Sequence, residues 1–309
     1  MTLPGTESTT AHEPAPGDHT RLATVLLIGV TAIWGSTFFL IKDLLVAIPT
    51  PDFLAVRFSI AAVVMLALFH RQTRALSGRD VRIGLALGAL YGVAQVLQTT
   101  GLETTDASIS GFITGTYVVL TPVLGALLLR DRVTPLMWAA VGLATLGLAL
   151  LSLRGFSVGT GEAVTFASAV LYAAHIVALG RWSRVSAAVG LAAVQAFAIA
   201  LITSMAAVPG GLTLPSGTGP WASVLYMALI AGAGALWAQT WAQAHLTATR
   251  AAIVMALEPV FAALFAVGFG GERLTGRMLL GGLLVVAAMY LVELRPQTSP
   301  PVGALHHDV

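Results

Sequence analysis

The sequence predicts an all-α integral membrane protein with ten transmembrane helices arranged as two inverted five-helix repeats. Hydrophobic residues make up 57% of the 309-residue chain and charged residues only 10%, against about 25% in ordinary soluble proteins. Ten apolar runs follow one another between short polar segments, and most are long enough to span a bilayer. Two of these runs carry a proline, Pro122 and Pro259, and each is followed by a charged loop. This repetition indicates an internal duplication.

The first repeat is predicted to cover residues 21–154. Residues 1–20 contain three prolines and three acidic residues but no apolar run, so they are predicted to form a disordered cytoplasmic tail. The five predicted helices are 22–41, 53–69, 83–102, 107–129 and 133–153. Arg57 and Lys42 are expected near the outer surface, with their stems in the apolar layer and their charged ends in water. Attraction of an anion is the alternative role for both.

The second repeat is predicted to cover residues 155–293, followed by a cytoplasmic tail at 294–309. Its predicted helices are 162–180, 187–208, 221–245, 249–270 and 276–291. The segment from Pro209 to Pro220 is too rich in proline and glycine to be helical throughout, so it separates two helices. The chain contains no cysteine, which excludes disulfides, thiolate chemistry and cysteine metal sites.

The basic residues predict the orientation. Ten spans place both termini on one side, and 11 of the 16 Lys and Arg residues lie on that side. The excess of positive charge predicts that both termini are cytoplasmic in the cell membrane. An odd number of helices in each half then makes the two halves inverted with respect to each other, as in many secondary transporters. Most of the basic residues therefore orient the protein in the bilayer, and nucleic-acid binding is not expected.

Glu258 is the first candidate functional residue, because a carboxylate inside an apolar helix usually faces a cavity or a partner. The neighbouring Pro259 has no N–H, so it leaves the carbonyl of Met255 free and bends the helix. Two roles stay open for Glu258. It can exchange a proton during transport, or it can stay protonated and donate a hydrogen bond to a carbonyl such as that of Met255.

Polar side chains recur at helical spacing on two other predicted helices. They are Tyr91, Gln95 and Gln98 on helix three, and Ser110, Thr114, Tyr117 and Thr121 on helix four. Glutamines in an apolar layer need partners, and a water-filled cavity is the simplest one. The alternative for the hydroxyl groups is a hydrogen bond to a carbonyl of their own helix. Glycines at 84, 88 and 92 are interpreted as a surface for close helix packing.

Two further helices supply aromatic and polar candidates. Helix six carries Tyr172 and His175; the histidine is either a proton relay or a neutral residue bonded to a neighbour. Helix eight carries Trp237 on one face and Gln239 on the opposite face. A tryptophan at this depth either binds an aromatic or cationic substrate or fills space between helices.

Several segments resemble the EamA family of the drug/metabolite transporter superfamily. They are Trp34-Gly35-Ser36-Thr37-Phe38 with Lys42, Arg57-Phe58, and Leu257-Glu258-Pro259-Val260-Phe261-Ala262-Ala263-Leu264 with Gly271-Glu272-Arg273-Leu274. The resemblance covers nearly the whole chain outside the tails. One departure is the spacing from the helix proline to the acidic residue of the loop, which is nine residues from Pro122 to Asp131 but 13 from Pro259 to Glu272.

The resemblance implies two EamA repeats that form a carrier for small organic metabolites or drugs, often an exporter. The expected partners are the substrate, the lipid bilayer and protons as coupling ion, and a homodimer is left open. No cofactor or metal is expected. A channel-like passive facilitator is the main alternative and an intramembrane enzyme a weaker one, because no phosphate-binding loop, His-Glu-x-x-His or Gly-x-Ser-x-Gly motif is present. The residues expected to contact substrate are Tyr91, Gln95, Gln98, Tyr117, Thr121, Tyr172, His175, Trp237, Gln239 and Glu258.

Overall fold

The computed structural model describes residues 16–129, 135–154 and 157–293. In the first half the helices are α1 (Pro16–Leu45), α2 (Thr50–Leu68), α3 (His70–Arg74), α4 (Gly78–Thr104), α5 (Ala107–Gly115), α6 (Tyr117–Leu129) and α7 (Pro135–Ser152). An antiparallel pair of two-residue strands, β1 (Leu153–Arg154) and β2 (Ser157–Val158), links the halves. The predictions for residues 1–15, the loop at 130–134 with Asp131, and the tail at 294–309 lie outside the described residues.

The second half is also helical. They are α8 (Thr160–Trp182), α9 (Ala188–Ala207), α10 (Thr218–Ala228), α11 (Ala235–Gln243), α12 (Ala248–Met255), α13 (Glu258–Gly268) and α14 (Gly276–Glu293). A 3-10 turn, Val208–Gly210, follows α9, and a π-helical turn, Leu229–Gly234, joins α10 to α11.

Seven helices in the described part of the chain are long and apolar enough to cross a membrane. They are His19–Leu45, Thr50–Leu68, Gly78–Thr104, Ala107–Leu128, Thr160–Trp182, Ala188–Gly210 and Thr218–Gln243. Three shorter apolar stretches accompany them: Trp138–Gly147, Glu258–Gly268 and Gly276–Ala288. The chain is therefore a helical, multi-pass membrane protein, as composition predicts.

Helices four, eight and nine are each predicted as one helix, with a bend at Pro259 in helix nine, and the structure interrupts all three. In helix four the break lies at Thr116, whose N–H bonds the carbonyl of Ile113, three residues back. In helix nine the break lies just before Glu258, which is the first residue of α13 instead of a mid-helix residue. The break before Glu258 lies in the turn that precedes Pro259, whose ring crowds that turn and whose missing N–H removes a helical hydrogen bond. The break at Thr116 lies six residues before Pro122, which is inside α6. The π turn of helix eight adds a residue and rotates the register of α11.

The start of α1 also differs from the prediction. Residues 16–20 belong to α1, whereas the sequence predicts a disordered tail up to residue 20. His19 explains the difference, because its ring stacks on that of His245 with centroids 5.5 Å apart and meets the edge of Trp241 at 6.3 Å. These contacts with the end of α11 give the first turns of α1 a surface to pack on.

The two halves pack against each other through glycines. The predicted close approach at Gly84, Gly88 and Gly92 is confirmed, since a Cβ on Gly88 would lie 2.4 Å from the carbonyl oxygen of Gln195 in α9. A Cβ on Gly35 of α1 would lie 2.5 Å from Cβ of Phe261 in α13. The helices of one half are therefore in backbone contact with those of the other.

The loop after α13 is fastened to the start of α5. The Glu272 carboxylate accepts a hydrogen bond of 2.7 Å from the backbone N–H of Ala107 and another from the hydroxyl of Ser108. A carboxylate at this position satisfies the free N–H groups of a helix N-terminus and complements its dipole. At the opposite end of the bundle, Arg184 makes two 2.7 Å contacts with the carboxylate of Asp80 at the start of α4. Polar contacts thus join the two halves at both ends.

Candidate functional site

A polar cavity lies inside the bundle, between helices of both halves. Its walls come from α1, α2, α4, α5, α6, α8, α11, α12 and α13. The space in it that a water-sized sphere can occupy is about 30 Å³, room for roughly two water molecules. A molecule much larger than two waters does not fit in the cavity in this structure.

Most of the residues expected to contact substrate line this cavity. They are Tyr91, Gln95, Gln98, Tyr117, Tyr172, His175, Gln239 and Glu258. Two others lie elsewhere: Thr121 donates its hydroxyl to the carbonyl of Tyr117 at 2.7 Å, and Trp237 packs, partly buried, against the hydrophobic core. Thr121 therefore has the alternative role predicted for the hydroxyl groups, a hydrogen bond to a carbonyl of its own helix. Trp237 and Gln239 lie on opposite faces of α11, so only one of the two can meet the cavity, and it is Gln239.

Glu258 and Tyr117 meet across the two halves. The Tyr117 hydroxyl lies 2.9 Å from Oε2 of Glu258 and 3.0 Å from the carbonyl oxygen of Met255. Tyr117 is therefore within hydrogen-bonding distance of the carbonyl that Pro259 leaves free, and donation to that carbonyl by a protonated Glu258 is one of the two predicted roles. Glu258 is 5% exposed and begins α13. One hydroxyl proton faces two acceptors, so a proton on Glu258 lets Glu258 donate to Tyr117 while Tyr117 donates to Met255.

Arg57 is buried in the cavity wall, which corrects the expectation that it reaches the outer surface. It is 3% exposed, and its Nε donates to the carbonyl of Met227 at 3.2 Å. Its guanidinium lies over the ring of Phe58, 4.8 Å from the centroid. Because α2 begins at Thr50, Arg57 lies two turns inside the helix, where its side chain cannot extend to the helix end. No carboxylate forms an ion pair with Arg57 in the part of the chain described.

Lys42 is the other basic residue that was expected near the outer surface. Its side chain is 37% exposed, and its Nζ lies 3.9 Å from a carboxylate oxygen of Asp106. It also donates to the carbonyl of Thr105. Lys42 is thus a partly exposed residue at the end of α1, and an exposed ion pair of this length contributes little to stability.

The polar residues of helix three form a network with neighbouring helices. Gln98 accepts a hydrogen bond of 3.0 Å from the Tyr172 hydroxyl and donates one of 3.1 Å to the Thr114 hydroxyl. The edge of the Tyr91 ring meets Tyr172, with centroids 5.3 Å apart. Gln95 contacts the Tyr91 hydroxyl at 3.5 Å. These side chains therefore give the cavity an aromatic and hydrogen-bonding wall.

His175 is fully buried and bonded away from the cavity. Its Nε2 lies 2.9 Å from Oε1 of Gln195 in α9, and the ring meets the Tyr91 ring edge-on at 5.1 Å. Gln195 in turn contacts the hydroxyl of Thr240 at 3.3 Å. The second ring nitrogen of His175, Nδ1, has no hydrogen-bond partner among the described residues.

Sequence reasoning missed a stripe of cavity residues on α1. Trp34, Thr37, Phe38 and Ile41 line the cavity, and their spacing of three and four residues is that of one helix face. The same periodicity test that selected helices three and four could have found them. Thr114 was named as part of a hydroxyl stripe without being assigned to the site, and Ile176, Met255 and Arg57 complete the lining.

Within the described residues, no group of three or more His, Cys, Asp or Glu side chains could hold a metal ion.

The fold and the cavity define a multi-pass helical membrane protein with a small, buried polar cavity between its helices. The sequence model of the EamA-like transporter family matches residues 21–153 and again residues 159–294. The chain therefore belongs to the EamA-like transporter family. It is 33% identical over 267 residues to an uncharacterized transporter of Archaeoglobus fulgidus, covering 86% of this chain and 84% of that protein. A solved crystal structure shares the fold with a TM-score of 0.64 at 21% identity, covering 88% of this chain and 96% of that one.

Proposed function

We propose that the protein is a secondary active transporter that moves small organic metabolites or drugs across the cytoplasmic membrane, in the direction of efflux, by alternating access. The observation that carries this proposal is the buried Glu258 at the interruption of helix nine, hydrogen-bonded to Tyr117 of the other half. A carboxyl group between two halves can gain or lose a proton while its contacts change, which couples proton movement to rearrangement of the helices.

Both protonation states of Glu258 have partners in this arrangement. The charged form sits at the first residue of α13, where the N-terminal end of the helix dipole stabilises a carboxylate, and it accepts from Tyr117. The neutral form can donate to the Tyr117 oxygen while Tyr117 donates to the Met255 carbonyl. The hydroxyl of Tyr117 therefore changes its acceptor when Glu258 titrates, and this change links the proton to a contact between the halves.

We further propose ten membrane spans in two inverted five-helix repeats, with both termini cytoplasmic. The two successive family matches support a duplication, and each half has one helix interrupted ahead of a proline, at Thr116 and just before Glu258. The excess of arginine on the side of the termini supports the orientation. In this arrangement α7, α13 and α14 are parts of spans, although their apolar stretches are short.

The orientation can be tested by labelling single cysteines, because the chain has none of its own. Positions 77 and 216 lie in loops predicted to be on opposite sides, but Ser77 caps α4 through Asp80, so the exposed Ala75 is the better inner position. A membrane-impermeant thiol reagent added outside should label Ser216→Cys in intact cells and Ala75→Cys only after the cells are opened. Labelling of both positions from one face would contradict the inverted arrangement.

A second experiment tests the cavity as the substrate pathway. In vesicles containing the purified protein, Gln95→Leu should lower the apparent affinity for a solute found in a metabolite library by about tenfold, since it removes the amide from the cavity but keeps the size of the side chain. Trp237→Leu, which lies outside the cavity, should leave affinity unchanged. An equal effect of the two variants, or loss of folded protein that accounts for the loss of activity, would favour a packing role.

The same vesicles separate a carrier from the main alternative, a channel-like facilitator. A carrier should show saturable uptake and counterflow from preloaded vesicles, because each substrate crosses with a change of conformation. The cavity supports the carrier, since in this structure it has room for roughly two water molecules and not for a metabolite. Flux without saturation or counterflow would indicate a channel, and conversion of a solute without translocation would indicate an enzyme.

A further inference from the structure

Three side chains that line the cavity each have one buried polar atom without a hydrogen-bond partner. In the part of the chain that the structure describes, Nδ1 of His175, Oε1 of Gln95 and Oε1 of Gln239 belong to cavity-lining residues and make no hydrogen bond. A buried polar atom without a partner is costly, and such atoms in native proteins usually serve a ligand or a water molecule. His175 differs from the two glutamines because its ring proton can lie on either nitrogen. The surrounding contacts determine which nitrogen carries it.

The chain of hydrogen bonds behind His175 runs in one direction. The Thr240 hydroxyl lies 2.7 Å from the carbonyl oxygen of Leu236, and because a carbonyl can only accept, Thr240 is the donor there. Its oxygen is then left to accept from Gln195, at 3.3 Å, which requires the amide NH₂ of Gln195 on that side. The amide oxygen of Gln195 consequently faces His175.

The orientation of Gln195 decides the tautomer of His175. The Gln195 oxygen lies 2.9 Å from Nε2, and it can only accept, so Nε2 carries the proton. In the neutral ring Nδ1 is then a bare acceptor. Thr240 and Gln195 do not line the cavity, so they act on it only through the ring that they orient.

We propose that His175 is a substrate-binding residue whose Nδ1 accepts a hydrogen bond from an N–H or O–H group of the transported molecule, and that Gln195 and Thr240 are positioning residues that hold its proton on Nε2. The proposal rests on the cavity being the substrate pathway. The neighbouring rings of Tyr91, Tyr172 and Trp34 favour a planar, aromatic molecule with a ring N–H donor, because flat rings pack well on aromatic walls.

The tautomer can be measured without transport. In purified protein labelled with ¹⁵N-histidine at about pH 8, where an ordinary histidine is neutral, the His175 resonances are assigned by their absence in His175→Gln. The expected spectrum shows the proton on Nε2 alone. Thr240→Val, which keeps the shape of the side chain but no longer orients Gln195, should give a mixture of both tautomers, while Thr240→Ser should keep the wild-type pattern. A proton on Nδ1 in the wild type, or no difference between the two Thr240 variants, would overturn the positioning chain.

Binding is tested on the same protein with indole and 1-methylindole, in which a methyl group replaces the hydrogen of the N–H donor. Indole should shift the Nδ1 resonance and bind about three- to tenfold more tightly, the effect expected from one neutral hydrogen bond in a buried site. The preference should shrink in Thr240→Val and persist in Thr240→Ser. Equal affinity for the two compounds, including binding of neither, would overturn the assignment of Nδ1 as an acceptor. Neither measurement uses transport. The assignment of Nδ1 can therefore fail while vesicle uptake is unchanged, and vesicle uptake can fail while the assignment of Nδ1 holds.

Discussion

Replacement of Glu258 by glutamine is expected to abolish accumulation of substrate driven by a proton gradient while leaving counterflow in place. The glutamine amide has nearly the size of the protonated carboxyl, and its NH₂ can donate to the Tyr117 oxygen, so the contact between the halves survives. The amide cannot titrate, so no proton is exchanged. Uptake into vesicles with and without an imposed gradient, together with counterflow, measures the two activities separately.

A matched control for this variant is Asp43→Asn, the same chemical change at an exposed residue of α1. It should retain full uptake driven by the gradient. If Glu258→Gln accumulates substrate as the wild type does, Glu258 is a packing residue and the proposed coupling is wrong. If the variant loses counterflow and folded protein together, the contact with Tyr117 needs the carboxyl itself, and the titrating role is again unsupported.

The largest effect on stability is expected where the halves touch through glycine. Gly88→Ala places a methyl group 2.4 Å from the backbone oxygen of Gln195, so α4 and α9 must move apart. Overpacking of this kind costs about 1–3 kcal/mol, and Gly88→Leu should leave little folded protein. Thermal unfolding in detergent gives the comparison.

Gly29 of α1 provides the matched control, since a Cβ there meets nothing within 4 Å. Gly29→Ala should be neutral or stabilise the helix by about 0.5–1 kcal/mol, because alanine loses less conformational freedom than glycine in a helix. The two alanine substitutions therefore have opposite expected signs. Equal unfolding temperatures for Gly88→Ala and the wild type would show that α4 and α9 do not pack this closely.

Apolar runs and helical spacing predicted the class of fold and much of the cavity. The polar stripe of Tyr91, Gln95 and Gln98 could be recognised because polar groups in an apolar layer need partners, and that requirement is independent of the details of packing. Glu258 was recognisable for the same reason. These residues line the same cavity.

Other features depend on helix boundaries and on contacts between distant residues, which the spacing of residues in the sequence does not predict. The predicted start of α2 is three residues too late, and this error puts Arg57 near the surface. Trp237 and Gln239 lie on opposite faces of one helix, and residue spacing alone does not say which face meets the cavity. The early start of α1 depends on ring contacts between His19 and a residue more than 200 positions away, His245. The partner of Gln195 could not be inferred either, since hydrogen bonds between distant helices leave no periodic pattern.

The most direct test of alternating access through the cavity uses one cysteine at Thr37, a buried residue of the cavity wall. In membranes of known orientation, Thr37→Cys should react with an impermeant thiol reagent from either side, and a proton gradient should raise the rate on one side while lowering it on the other. Reaction from one side only, or rates on both sides that the gradient leaves unchanged, would contradict transport by alternating exposure of this cavity.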